Sequence, residues 1–226
     1  MKYNNIVKGK FINRPNRFIA NVEIDGIVQV CHVKNTGRCK ELLTPNATVY
    51  LEQSNNPNRK TMYDLVTVEK GDMLINMDSQ APNKLFREWV ENGNYFEKPI
   101  KLKSEVKLGN SRLDFYLENN AYKGYAEIKG VTLEEDGVVK FPDAPTQRGI
   151  KHLQELTNIV SLGYKAFAVF IVQMENAEYF TPNYATHTEF GVALKNAQQS
   201  GVEIIALTCK VTPDSVTPLK QIPVIL

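Results

Sequence analysis

A change of hydrophobic period near Pro82 constrains this chain more than any other feature. Ahead of it, apolar and polar residues alternate in short runs at 17–23, 27–33, 47–52, 62–69 and 73–77, separated by turn-forming residues. A period of two is that of a half-buried strand. Asp25-Gly26 between the first two runs is a hairpin signal, because Gly tolerates positive φ. These five runs predict a small β-barrel of the OB type over residues 1–81, and an SH3-like barrel fits the same pattern. Beyond Pro82 the spacing becomes helical through Leu85, Phe86, Trp89 and Val90, with Gly93 as a stop. Strand patterns follow at 100–107, 112–117 and 125–131, then a polar loop through Asp136-Gly137 and an amphipathic helix over 146–162. An apolar strand at 165–172, a helix at 189–200 and a strand at 202–207 complete the order α-β-β-β-α-β, then α-β. Residues 82–226 are therefore expected to form an α/β domain on a mixed sheet.

With 42% hydrophobic and 23% charged residues, the chain can bury a core. It has no run of about 18 apolar residues and no apolar stretch of signal-peptide length near its start, so a cytoplasmic protein without membrane contact is expected. Cys31, Cys39 and Cys209 fit no CxxC spacing and His32, His152 and His187 are scattered, which favours reduced thiols over a structural zinc site. The net charge of +2 is uneven: residues 1–40 carry eight Lys/Arg against Glu23 and Asp25, a local +6 that leaves the rest at −4. A basic segment ahead of an acidic body suits a polyanion at one end, although a solvated basic face gives the same count.

Chemistry concentrates in the middle hairpin. In Arg112-Leu-Asp-Phe-Tyr-Leu, Asp114 shares a face with Arg112 and Tyr116; in Tyr125-Ala-Glu-Ile-Lys-Gly, Glu127 and Lys129 share one. A tight connection around Asn120-Ala121 pairs residues whose numbers sum to 241. Asp114 then faces Glu127 with Cβ atoms about 5 Å apart. Carboxylates so close repel unless a cation lies between them or one is protonated. With the Ile128 carbonyl they form an oxygen-lined site for Mg²⁺ or Mn²⁺, beside which Lys129 can orient a water or offset developing negative charge. Glu105 on the preceding strand is a further candidate ligand. On the long helix, Arg148, His152 and Glu155 fall at i, i+4 and i+7 opposite the apolar stripe, with Lys151 alongside. For His152 and Lys151 a solvated face is the simpler expectation. Gly149, costly near a helix start, implies close backbone approach or tight packing.

An acid followed by Glu-x-Lys on this element order resembles the PD-(D/E)XK nuclease superfamily. A collinear set of segments also resembles the sugar fermentation stimulation protein A family. These include Asn16-Arg-Phe, His32-Val-Lys-Asn-Thr-Gly-Arg, Arg59-Lys60, Ser104-Glu105-Val, Ser111-Arg-Leu-Asp-Phe, Glu127-Ile-Lys, Phe141-Pro-Asp-Ala, Arg148-Gly-Ile-Lys-His-Leu-Gln-Glu-Leu and Gly201-Val-Glu-Ile. The resemblance implies an N-terminal OB-like domain, a nuclease-like C-terminal domain, and DNA, duplex or single-stranded, as partner without strong sequence preference. Arg14, Arg17, Lys34, Arg38, Arg148 and Lys151 are the expected nucleic-acid contacts; Asp114, Glu127, Lys129 and Glu105 are the expected catalytic set. The family's link to maltose metabolism offers the alternative of a non-catalytic DNA-binding regulator. A carbohydrate-responsive module has only the family name behind it, since Trp89 sits in a core pattern. One departure is visible: His187 stands where the family usually carries Asp.

Overall fold

Strand pairing begins earlier than the alternation suggests. In a computed structural model of the chain, which describes residues 1–93, 95–109 and 111–226, the first strand is β1 (Ile6–Asn16). It is followed by β2 (Ile19–Ile24), β3 (Ile27–Val33), β4 (Thr48–Gln53), β5 (Tyr63–Lys70) and β6 (Met73–Asn76). The order is β3-β2-β1-β4-β5-β6, and a parallel pairing of His32 and Val33 with Asp64 and Leu65 joins β3 to β5, closing a five-stranded OB barrel. The fifth barrel strand is thus β1, while β6 hangs on β5 outside the ring. Glycine and charge hide β1 in the sequence. A Cβ at Gly9 would lie 2.6 Å from Val22 and 2.8 Å from the Glu23 carbonyl, so a close approach of β1 to β2 requires Gly there. The Asp25-Gly26 turn has positive φ at both residues, as its hairpin demands.

The second domain opens with α1 (Ala81–Asn92), ended at Gly93, and continues through β7 (Lys101–Leu108), β8 (Ser111–Glu118) and β9 (Lys123–Val131). Next come β10 (Leu133–Glu135), β11 (Val138–Phe141), α2 (Gln147–Ser161), β12 (Lys165–Val172), β13 (Tyr179–Pro182), α3 (Tyr184–Gln199), β14 (Glu203–Thr212) and β15 (Ser215–Ile222). The large sheet runs β15-β14-β12-β9-β8-β7; β12 is parallel to both neighbours and the outer pairs are antiparallel. The apolar run of β12 reflects burial on both faces. Phe167, Val169 and Ile171 pack in the cluster of Leu85 and Phe86 from α1, while Ala168 and Phe170 join the cluster of Leu153, Leu156 and Phe190 from α2 and α3. The stretch expected to be a polar loop is a hairpin, β10–β11, turning at Asp136-Gly137, and β13 adds to β11 in parallel. Strand β15 escaped the sequence pattern because Thr and Pro218 interrupt it, which an edge strand tolerates.

The two domains share a buried polar joint. Lys34 Nζ pairs with Asp78 at 2.8 Å, and the Asp78 side chain is wholly buried. Tyr3 Oη donates to Asp78, Gln173 Nε2 donates to Asn76 Oδ1 and the Asp78 carbonyl, and Asn76 Nδ2 donates to Tyr3 and the Val66 carbonyl. Residues 1–3 lie on the second domain, where Tyr3 N–H donates to the Asp214 carbonyl and the terminal amine to Glu88. No helix among the described residues is long and apolar enough to cross a membrane. All three cysteines are free and buried, and burial raises each thiol to about 12, leaving them unreactive.

Candidate functional site

Asp114, Glu127, Ile128 and Lys129 line one cleft of about 340 Å³ together with Ser79, Gln80, Asn83, Arg148 and His152. The β8–β9 register sums to 241 from Glu118↔Lys123 to Phe115↔Ala126, and the Asn119 side chain caps its turn. At Asp114 the ladder opens. The Ile128 N–H donates to Asp114 Oδ2 at 2.8 Å instead of to a strand carbonyl, and Asn83 Nδ2 donates to Oδ1 at 3.2 Å. Burial, and then the charge of Glu127, hold the Asp114 carboxyl above its ordinary range. Glu127 is also pushed up by burial, but the hydrogen bond from His152 and the Lys129 charge more than offset this, so its carboxyl lies low. All of that compensation falls on one oxygen. Lys129 Nζ donates to Oε1 at 2.5 Å and His152 Nδ1 bonds the same atom, while the buried Oε2 has no partner among the described residues.

An orphaned buried carboxylate oxygen beside a second, repelled carboxylate fits a hard divalent cation held through oxygen. The residues present supply Asp114, Glu127 and the Ile128 carbonyl, the set expected for Mg²⁺ or Mn²⁺. No cluster of three His/Cys/Asp/Glu suited to a metal occurs among the described residues, so water or substrate oxygens would complete the shell, as Mg²⁺ commonly allows.

Helix α2 corrects the expectation of a solvated His152. His152 is only 8% exposed and sits between Glu127 and Arg148. Arg148 Nε donates to His152 Nε2 at 3.3 Å, while His152 Nδ1 lies against both Glu127 Oε1 and, at 3.2 Å, Lys129 Nζ. The sequence carried a signal for this residue in the spacing of His152 to Arg148, but the helix turns far enough to bury it. Lys151 does remain exposed, near Glu155, and lies outside the cleft. Gly149 is explained by packing: a Cβ there would meet Thr146 at 2.8 Å and Phe190 at 3.1 Å. His187 takes a structural place, its Nδ1 accepting from the N–H of Thr146, the residue that caps α2. Asn83 joins the site from the start of α1, a contact that strand parity could not reveal.

Glu105 does not join the cleft. It has φ of +56°, its side chain is 67% exposed, and it pairs with Arg112 at 2.5 Å. Glu105→Gln is therefore expected to leave Mg²⁺ affinity within about twofold of wild type by calorimetry; loss of binding would return it to the ligand set.

The basic residues divide in two. Arg17 and Arg38 are exposed and line, with Lys40, a cleft of about 540 Å³ on the barrel. Arg14 instead spends its terminal nitrogens on the carbonyls of Arg17, Asn35, Gly37 and Arg38, and Lys34 is held by Asp78. Against the expectation that these two reach phosphates, a buried carboxylate holds Lys34 and four loop carbonyls hold the terminal nitrogens of Arg14.

The fold and cleft define a class: an OB barrel joined to a mixed-sheet α/β domain with paired acids at a splayed hairpin. Residues 12–77 match the family model described as SfsA N-terminal OB domain, and residues 80–215 match the sugar fermentation stimulation protein RE domain. The sugar fermentation stimulation protein homolog of Desulfitobacterium hafniense is 58% identical over 96% of this chain and 94% of its own. That of Clostridium beijerinckii is 56% identical over the whole of both. The solved structure of Pyrococcus furiosus SfsA in complex with Ca²⁺ superposes with a TM-score of 0.90 at 27% identity, covering 100% of this chain and 98% of that one. The chain belongs to the sugar fermentation stimulation protein family.

Proposed function

We propose that this protein binds DNA and hydrolyses its phosphodiester bonds with Mg²⁺ or Mn²⁺ at the Asp114/Glu127 cleft. The observation that carries this reading is the partnerless, buried Glu127 Oε2 in the same cleft as the repelled Asp114 carboxylate. That the Pyrococcus furiosus relative was solved in complex with Ca²⁺ supports a divalent cation as ligand. A divalent ion held there supplies a Lewis acid for a phosphoryl oxygen and acidifies a bound water. The chain's own groups do the rest. Asp114 and Glu127 would hold the ion, and His152, beside Arg148, bonds Glu127 through Oε1 and leaves Oε2 without a protein partner. Lys129, partly exposed, presents an ammonium group that offsets charge developing on the phosphoryl group.

The test is incubation with single-stranded DNA, duplex DNA and RNA in Mg²⁺, Mn²⁺ or chelator. Cleavage that requires metal supports the proposal; tight binding with no cleavage in any arm supports a regulatory DNA-binding protein instead. Binding itself is expected to rely on Arg17 and Arg38. Replacing either with Ala leaves one phosphate no longer neutralised, which is expected to lower the salt slope by about 0.9 on duplex DNA or about 0.7 on single strands. Unchanged slopes in both variants would move the binding site off the barrel.

A further inference from the structure

Two segments that the proposed site leaves unused meet across the domains: Asn35-Thr-Gly-Arg38 of the barrel and Phe141-Pro-Asp-Ala144 of the α/β domain. The Arg38 N–H donates to Asp143 Oδ2 at 3.0 Å. A Cβ on Gly37 would lie 2.7 Å from that oxygen and 2.9 Å from Asn35 Oδ1. Gly37 has no positive φ to require glycine, so room for these oxygens explains it. Arg14 holds the loop in shape. Its Nη1 donates to the Gly37 and Arg38 carbonyls, and its Nη2 to those of Asn35 and Arg17. In a planar trans peptide the N–H points away from the carbonyl before it. The Thr36, Arg38 and Cys39 N–H groups therefore face away from the guanidinium, and those of Thr36 and Cys39 have no hydrogen-bond partner among the described residues.

Backbone N–H groups turned outward beside unopposed cations are what a phosphate group binds. The adjoining cleft of about 540 Å³ carries Arg17, Arg38 and Lys40, all exposed, and no carboxylate among the described residues lines it. Asp143 is half-buried and lines a second cleft, of about 340 Å³, so solvent reaches its carboxylate. We propose that the 36–39 loop is a seat for a phosphate group, that Asp143 fills it in the free protein, and that a phosphate of bound nucleic acid takes the carboxylate's place. Nucleic acid as the source rests on the reading of the barrel as a DNA-binding surface. The exchange keeps the Arg38 hydrogen bond, since one anionic oxygen replaces another. It also adds to it, because a phosphodiester has a second anionic oxygen for an arginine of the basic cleft. Arg14 holds the loop in its binding shape throughout, so little ordering cost falls on the ligand.

The test uses the full chain in chelator, so that no cleavage occurs. Oligonucleotide binding is read by fluorescence anisotropy, and the Arg38 amide by two-dimensional NMR. Asp143→Asn keeps the shape of the seat but leaves a neutral, weaker competitor. DNA should then bind about 5- to 10-fold tighter, the difference between a charged and a neutral acceptor. Removing any negative charge near Lys40 raises affinity a little, so Glu41→Gln, exposed beside it, is the control and should gain less than about twofold. With Gly37→Ala blocking the seat, Asp143→Asn should gain no more than that control. Oligonucleotide should move the Arg38 amide resonance saturably in wild type. Inorganic phosphate should do the same, and at lower concentration in Asp143→Asn. An Arg38 amide unmoved by either, or an equal gain from Asp143→Asn in both backgrounds, overturns the seat, and anisotropy still shows whether DNA binds. Inorganic phosphate that moves Arg38 while no oligonucleotide binds keeps the seat and sinks the DNA-binding reading of the barrel.

Discussion

Asp114→Asn is expected to reduce metal-dependent cleavage by about 10³-fold and to abolish the stabilisation that Mg²⁺ or Mn²⁺ gives. Losing about 4 kcal/mol of transition-state stabilisation corresponds to that factor. Metal at about 100 times its Kd adds roughly 2.7 kcal/mol to the folded state, which for a chain of this size raises Tm by about 5–11 °C. Without metal the variant should melt at the wild-type temperature or above it. Burial and the Glu127 charge raise the folded-state pKa of Asp114, so the folded protein holds that proton more tightly than the unfolded chain does. Stability from this group is therefore present at low pH and lost as pH rises through the folded pKa; Asn removes the penalty at neutral pH. Differential scanning with Mg²⁺, Mn²⁺ or chelator separates the cases. A variant that keeps the metal-induced rise would exclude Asp114 as a ligand.

Glu127→Gln should not behave the same way, although its pairing with Asp114 alone suggests that it would. Its carboxyl lies low because His152 and Lys129 favour the charged form against burial. Stability from Glu127 is thus present at neutral pH and lost as pH falls through its folded pKa. The amide would leave Lys129 facing His152 without its anion, so the apo protein should lose stability as well as metal binding. The two acids have opposite energetic signs, which makes Asp114 the cleaner probe.

Period and parity carried the fold because they report which faces are buried. They placed Asp114, Glu127 and Lys129 on one face, and the register around Asn120-Ala121 held residue for residue up to Phe115↔Ala126. What stayed hidden depends on partners distant in the chain. His152 looks polar and solvent-facing until Glu127 and Arg148 are brought against it. Lys34 and Arg14 look like free cations until Asp78 and the loop carbonyls claim them. Glu105 shares the sequence spacing of a ligand, yet its left-handed backbone turns the side chain out to Arg112. Strand β1 was concealed by a glycine whose purpose is a contact with β2.

The claim made by Asp78 on Lys34 leads to a large stability effect far from the chemistry. Lys34→Met is expected to destabilise the protein by about 3–5 kcal/mol, the usual result of removing one partner from a buried pair. Asp78 would keep hydrogen bonds from Tyr3 and the Gln80 N–H, but its charge would remain in a wholly buried side chain with no cation beside it. In temperature this amounts to about 6–20 °C of Tm. The joint also carries Asn76 and Gln173, so the loss should loosen the barrel from the α/β domain and broaden or split the calorimetric transition. Adding Asp78→Asn to Lys34→Met removes the stranded charge and should restore part of the stability, a recovery that mere loss of packing by the lysine stem would not show. If Lys34→Met instead melts within about 1 kcal/mol of wild type but flattens the salt dependence of DNA binding, the lysine serves phosphate and the buried pair is not what joins the domains.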